Sequence, residues 1–238
     1  MIDMLVSLYY NSNGLILLIP VMILAFYAQH KVKSVYKRYS QVRSTRGHTG
    51  YQAARTILDR YGLYHVLVEE GKGVLSDHYD PRSRIVRLSP AVYHGASVSA
   101  VGIAAHECGH AIQHEEQFAP LVLRNVIIPA TGFGSKLAFP LLFIGFLLGL
   151  DSPIGTMLIW IGIFGFILMA LFQLITLPVE FNASSRALTI IDEAFLLEEE
   201  ERAGAKRVLN AAALTYVAAL AATIAQIMRL LLIVGRRR

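Results

Sequence analysis

Apolar residues in this chain fall into long uninterrupted blocks rather than the short alternations of a soluble domain. Residues 14–28, GLILLIPVMILAFYA, sit in a mostly uncharged run that begins at Met4. Residues 137–150, LAFPLLFIGFLLGL, and 154–177, IGTMLIWIGIFGFILMALFQLITL, carry no charge, and residues 208–235 carry only Arg229. A helix needs about 20 apolar residues to cross the hydrocarbon core, so the first, third and fourth blocks are predicted to span a membrane. The second is short by itself and is extended back to Gly132, with Lys136 snorkelling to the interface. No positive residue precedes the first block and AFYAQHKVK follows it without a small-x-small pattern. It therefore reads as a retained transmembrane helix rather than a signal peptide.

Between the first and second blocks the texture is globular. Thr49 to Tyr61 places Ala53, Ala54, Ile57, Leu58 and Tyr61 on one helical face, with Gly62 as the stop. LYHVLVEE at 63–70 reads as a strand, and residues 73–89 as two short strands around a turn at Asp80-Pro81-Arg82-Ser83. Ser89-Pro90 is a helix start, and Ser97 or Ser99 opens a second helix. The expected fold is a mainly α membrane protein with about four transmembrane helices and a small α+β region.

Charge sets the orientation. Twelve Lys and Arg lie between Gln29 and Phe118 and four between Pro178 and Arg207, against none in the N-terminal tail or the Asp151-Ser152-Pro153 turn. By the positive-inside rule both long segments face the cytoplasm of a multi-pass cell-membrane protein. Arg236, Arg237 and Arg238 break the pattern, since four full crossings put them outside. The net charge of +5 thus reflects topology, and a nucleic-acid partner is not expected. Within KVKSVYKRYSQVR, residues 31–43, the residues Val32, Val35, Tyr36, Tyr39 and Val42 form a helical stripe expected to lie along anionic lipid. The single cysteine, Cys108, excludes an intrachain disulfide.

The chemistry concentrates in AAHECGHAIQHEE, residues 104–116. His106-Glu107-Cys108-Gly109-His110 is H-E-x-x-H, a zinc-protease signature with known false positives. On a helix His106 and His110 point about 40 degrees apart, one turn along the axis, so both imidazoles can close on one zinc ion. Glu107 sits at the edge of that face, where its carboxylate takes a proton from water acidified by the metal. Cys108 points about 200 degrees from His106 and is rejected as a ligand. So is His114, roughly 12 Å from His106 along the axis. The third ligand must come from later in the chain, and Glu180 in LPVEFNASSRAL is the candidate. A lone charge beside an apolar block is costly without a partner. That partner is either zinc or, in the plainer reading, Arg186.

Together AAHECGHAIQH, VEFNASSRAL and LSDHYDP resemble the YugP-type membrane-bound neutral zinc metallopeptidases of bacteria, and more distantly the HtpX-like and prenyl-protein (CAAX) proteases. The resemblance implies a gluzincin: a zincin-like region, His106, His110 and Glu180 on Zn2+, Glu107 as catalytic base, and zinc endopeptidase activity. The HtpX-like pattern E-[FY]-x-A-D ends here in Ser184, which replaces an aspartate that would orient a ligand histidine. Gluzincins bind extended peptide along a strand edge, and RIVRL at 84–88 is the expected edge. Arg186 is the candidate oxyanion stabiliser, with Tyr79 and His78 behind it. Asp77, His78, Tyr79 and Asp80 read equally well as turn chemistry.

The domain reading is 1–30, transmembrane helix; 31–118, cytoplasmic zincin-like region; 119–178, transmembrane hairpin; 179–207, cytoplasmic segment with the third ligand; 208–238, C-terminal membrane helix and basic tail. The expected function is zinc-dependent hydrolysis of peptide or membrane-protein substrates at the cytoplasmic bilayer surface. A zinc-binding membrane scaffold without turnover, or a zinc hydrolase of a non-peptide amide, are the alternatives.

Overall fold

A computed structural model describes residues 14–235. The run from Met4 to Asn13 and the arginines 236–238 lie outside the described residues. A 3-10 turn at Leu15–Leu17 leads into α1 (Leu18–Ser40), followed by α2 (Gly50–Arg60), β1 (Leu67–Glu70), β2 (His78–Asp80), β3 (Ile85–Leu88), α3 (Pro90–Tyr93) and α4 (Val98–Glu115). Three long helices complete the order: α5 (Ala119–Leu148), α6 (Pro153–Glu193) and α7 (Glu199–Gly235). The chain divides into two compact units.

One unit holds the described parts of Met1–Tyr27, Leu123–Thr176 and Thr215–Arg238. Leu15–Ser40, α6 and α7 are each long and apolar enough to cross a membrane. A fourth span is added if Ala119–Pro129 and Gly134–Leu148, bent by 46°, count as one. Pro129 lies inside α5 immediately before that bend, where it removes a backbone donor and crowds the preceding turn. Small residues let α5 and α6 approach closely, as interfaces between lipid-embedded helices require. A Cβ at Gly162 would lie 2.5 Å from Leu142 Cγ, and one at Gly165 2.8 Å from the Gly134 carbonyl.

The other unit, Ala28–Val122 with Leu177–Leu214, carries the candidate chemistry. Thr49 and Gln52 form a reciprocal capping box at the start of α2. Ala53, Ala54, Ile57 and Leu58 are fully buried on its inner face. Gly62, at φ 71°, terminates the helix in the left-handed conformation that glycine adopts without a Cβ penalty. Ser97 caps α4 by accepting from Ala100 N. Ser89 precedes α3 without capping it; its amide and hydroxyl both donate to the Asp77 carboxylate instead. Val86 and Leu88 of β3 point into a core built with Ile57, Leu58, Val101, Ile112, Ile190 and Leu196.

Two expectations are corrected here. The sheet order is β1-β3-β2, with β3 parallel to β1 (Leu67↔Ile85) and antiparallel to β2 (His78↔Arg87). RIVRL is therefore the central strand, both its edges are occupied, and the open edges belong to β1 and β2. The stripe on α1 is also not simply lipid-facing. Val32, Val35, Tyr36 and Tyr39 are each partly buried. Tyr39 lies in the space that a Cβ on Gly204 of α7 would enter, 2.6 Å from its Cε1, and accepts from Arg207 Nη1 at 3.0 Å. A tyrosine ring is amphipathic, so the apolar body packs on protein while the hydroxyl meets a cation.

A close backbone contact in this unit joins α4 to α6. A Cβ on Gly109 would lie 2.8 Å from the Ala183 carbonyl oxygen and 3.3 Å from Ala183 Cα. Alanine is favoured over glycine in a helix by about 0.8–1.0 kcal/mol, whereas overpacking a fitted contact costs about 1–3 kcal/mol. The crowded atom is backbone and cannot rotate away, so Gly109→Ala is expected to lower stability. Thermal unfolding measures this, and a melting temperature at or above wild type would contradict the packing argument.

Candidate metal centre

Ordinary helix geometry sets His106 and His110 side by side on α4, their rings edge-on with centroids 4.8 Å apart. The α6 backbone passes over Gly109, and Glu180, three residues before Ala183, is carried onto both imidazoles. Glu180 Oε2 lies 3.4 Å from His106 Nε2 and 3.6 Å from His110 Nε2. One ligand atom from each of the three residues falls within 4.8 Å of the others. Zinc–nitrogen and zinc–oxygen bonds of about 2.0–2.2 Å in a tetrahedron put ligand atoms about 3.3–3.6 Å apart. Two imidazoles and a carboxylate at these separations fit a divalent cation of that size. Arg186, the alternative partner for Glu180, pairs with Glu116 at 2.6 Å.

Glu107 is buried, with 8% of its surface exposed. Burial raises its pKa above the usual carboxylate range, the neighbouring Glu180 and Asp77 add to the shift, and the two histidines oppose it. A carboxyl so placed exchanges a proton nearer neutrality than a solvated one. Burial pushes the His110 imidazole down, but the hydrogen bond and charge of Glu180 and the charge of Glu107 outweigh it, so its pKa is raised. A metal must displace that proton, since ligand histidine is neutral.

Each histidine's second nitrogen has a partner. Ser184 Oγ lies 3.2 Å from His106 Nδ1, where the HtpX-like pattern has an aspartate. His110 Nδ1 lies 3.0 Å from Gln113 Oε1. Gln113 is fully buried and donates through Nε2 to the Val179 carbonyl (2.9 Å) and to Asn182 Oδ1 (2.8 Å). Asn182 Oδ1 also accepts from Arg186 Nε at 2.8 Å. Neither Gln113 nor Asn182 is singled out by the amino-acid sequence alone. The available signal was Gln113's place three residues past His110, polar beside the buried Ala111 and Ile112.

The remaining candidates fall outside the cluster. Cys108 is buried, its S–H directed to the Ala54 carbonyl at 3.6 Å, and burial pushes its thiol pKa up. His114 Nδ1 bonds to Tyr79 Oη at 2.9 Å. Burial raises that phenol to about 12, so Tyr79 remains a neutral hydroxyl. His78 Nδ1 donates to the Ser76 carbonyl at 2.8 Å. Asp80 ties its own turn through Arg82 N and Ser83 Oγ. Arg186 is engaged through Nε and Nη2 by Asn182 and Glu116, leaving Nη1 beyond these bonds.

Residues 14–235 match the model of a family described as "Putative neutral zinc metallopeptidase". The chain is 52% identical over 212 residues to "Putative membrane protease YugP" of Bacillus subtilis (strain 168), covering 88% of this chain and 91% of that protein. No solved structure matches the chain.

Replacing Glu180 with alanine removes the only carboxylate of the three-residue cluster. The zinc affinity of Glu180→Ala is expected to fall by more than the roughly 10–100-fold that changes in outer partners of a metal site cause. Chelator competition on wild type and variant measures it. Equal binding by both would refute the three-ligand arrangement.

Proposed function

The chain belongs to the neutral zinc metallopeptidase family, and from that premise we propose that it is an endopeptidase of gluzincin type that cleaves peptide bonds in proteins at the cytoplasmic membrane surface. The observation that carries the proposal is the meeting of His106, His110 and Glu180 within 4.8 Å, with Glu107 buried beside them. His106 and His110 through Nε2, and Glu180 through Oε2, are the proposed ligands.

When bound, zinc supplies Lewis-acid polarisation of a carbonyl and acidification of water. Glu107 takes the proton from the attacking water as its oxygen adds to the scissile carbonyl carbon. The same carboxyl then delivers that proton to the leaving nitrogen as the C–N bond breaks. A raised pKa suits Glu107 to both halves of the transfer. Arg186 is proposed to offset charge on the carbonyl oxygen through Nη1, the nitrogen that Glu116 and Asn182 leave available.

The cytoplasmic side is supported by the sixteen Lys and Arg of the two long segments, against none in the Asp151-Ser152-Pro153 turn. Cys108 is buried, which gives a low background for a thiol probe, and Ser83 is exposed. Ser83→Cys should therefore be labelled by an impermeant reagent in inside-out vesicles only. Labelling from the outer face would reverse the topology.

Glu107→Gln separates the enzyme from a zinc-binding scaffold. The variant is expected to retain zinc while cleavage of casein or a membrane-protein substrate drops about 10²–10⁴-fold. Unchanged cleavage would refute Glu107 as the base, and absence of cleavage by wild type against proteins beside turnover of small amides would redirect the substrate class.

A further inference from the structure

We propose that Gln113 is a positioning residue that sets the tautomer of His110, as the last link of a hydrogen-bond relay whose direction is imposed by Arg186 and by the Val179 carbonyl. The inference rests on the zinc-site reading above and concerns how the site is prepared for the ion.

Donor and acceptor capacity fixes the direction of each bond. A guanidinium can only donate, so the Asn182 atom 2.8 Å from Arg186 Nε must be the carbonyl oxygen, Oδ1. That same oxygen faces Gln113 at 2.8 Å, so the Gln113 atom there must be a donor, Nε2. A second constraint agrees independently. The Val179 backbone carbonyl, which can only accept, lies 2.9 Å from the same nitrogen. With Nε2 held at both contacts, the other end of the Gln113 amide is necessarily Oε1. It lies 3.0 Å from His110 Nδ1, so Nδ1 must carry the proton. In the neutral ring the lone pair is then on Nε2, the nitrogen 3.6 Å from Glu180 Oε2.

Flipping the amide would set Gln113 Oε1 against two acceptors and its NH2 toward His110. In a side chain with 0% exposure, water cannot relieve that mismatch. The Arg186 charge is itself fixed at 2.6 Å from Glu116, which anchors the far end of the relay. His106 differs, because Ser184 is a hydroxyl that can donate or accept at 3.2 Å and imposes no direction. Of the two partners described for the histidines' outer nitrogens, the amide of Gln113 is therefore the directional one. It also connects the helix that carries both histidines to the residue preceding Glu180, so one side chain serves ring tautomer and ligand register together.

The test uses the full chain in detergent with 15N-labelled histidine. In the metal-free protein, at a pH where the ring is neutral, two-bond proton–nitrogen correlation spectra should show wild-type His110 protonated at Nδ1. Gln113→Leu, which offers Nδ1 no acceptor, should lose that tautomer. By chelator competition the zinc affinity of Gln113→Leu should fall about 10–100-fold. Should Gln113→Leu fail to accumulate, Gln113→Met, unbranched and of the same length, replaces it. An unchanged His110 tautomer or wild-type zinc affinity in Gln113→Leu would overturn the proposal. Wild-type protein that binds no zinc would sink the metallopeptidase reading, while the metal-free spectra still judge the relay.

Discussion

The close approach of α4 and α6 at Gly109 is the constraint on which the site depends. Helix geometry alone puts two imidazoles one turn apart, but it cannot bring a carboxylate from seventy residues later to within 3.4 and 3.6 Å of them. That needs two backbones nearly in contact, and the Ala183 carbonyl lies where a Gly109 side chain would begin. Gly109, a motif residue with no side chain to offer, is thus the one that admits the Glu180 carboxylate to the cluster.

Bringing these groups together creates an electrostatic problem that the surroundings resolve. Glu107, His110 and Glu180 are all buried, and buried charges are tolerated only when paired, hydrogen-bonded or bound to a cation. Two carboxylates facing two imidazoles meet that condition with a divalent ion, and in its absence the proton favoured on His110 offsets part of their charge. The rise in the His110 pKa expresses this preference for positive charge at the centre. Around it, Ser184 and Gln113 hold the rings by their outer nitrogens, so orientation is supplied from outside the ligand set. In that arrangement Arg186 donates through Nε to Asn182 and pairs through Nη2 with Glu116, which fixes the outer end of the Asn182–Gln113 chain.

Where the structure departs from expectation, the reason is pairing between segments distant in sequence. A run such as RIVRL has strand character whether it lies at an edge or in the centre, because strand propensity says nothing of how many neighbours the strand has. Its central place comes from β1 joining in parallel on one side and β2 in antiparallel on the other. The tyrosine stripe of α1 has a similar history. An amphipathic face next to a membrane span satisfies the pattern of a lipid-surface helix, yet Tyr39 finds Gly204 and Arg207. Periodicity identifies the apolar face and leaves its partner open.

Local features were legible from the chain itself. Four apolar blocks, the α2 helix with its Thr49 cap and Gly62 stop, the Asp80 turn and the Ser97 start all follow from interactions within a few residues. The same is true of the facing pair His106 and His110, since one helical turn fixes it. Glu180 was a candidate through the cost of a charge beside an apolar run, but its meeting with the imidazoles depended on the α4–α6 contact. Gln113 and Asn182 were invisible as a pair because polar residues on a helix are ordinarily solvated. Only the packing that excludes water from Gln113 leaves its amide one orientation, and only the tertiary fold brings Val179, Asn182 and Arg186 close enough to choose which.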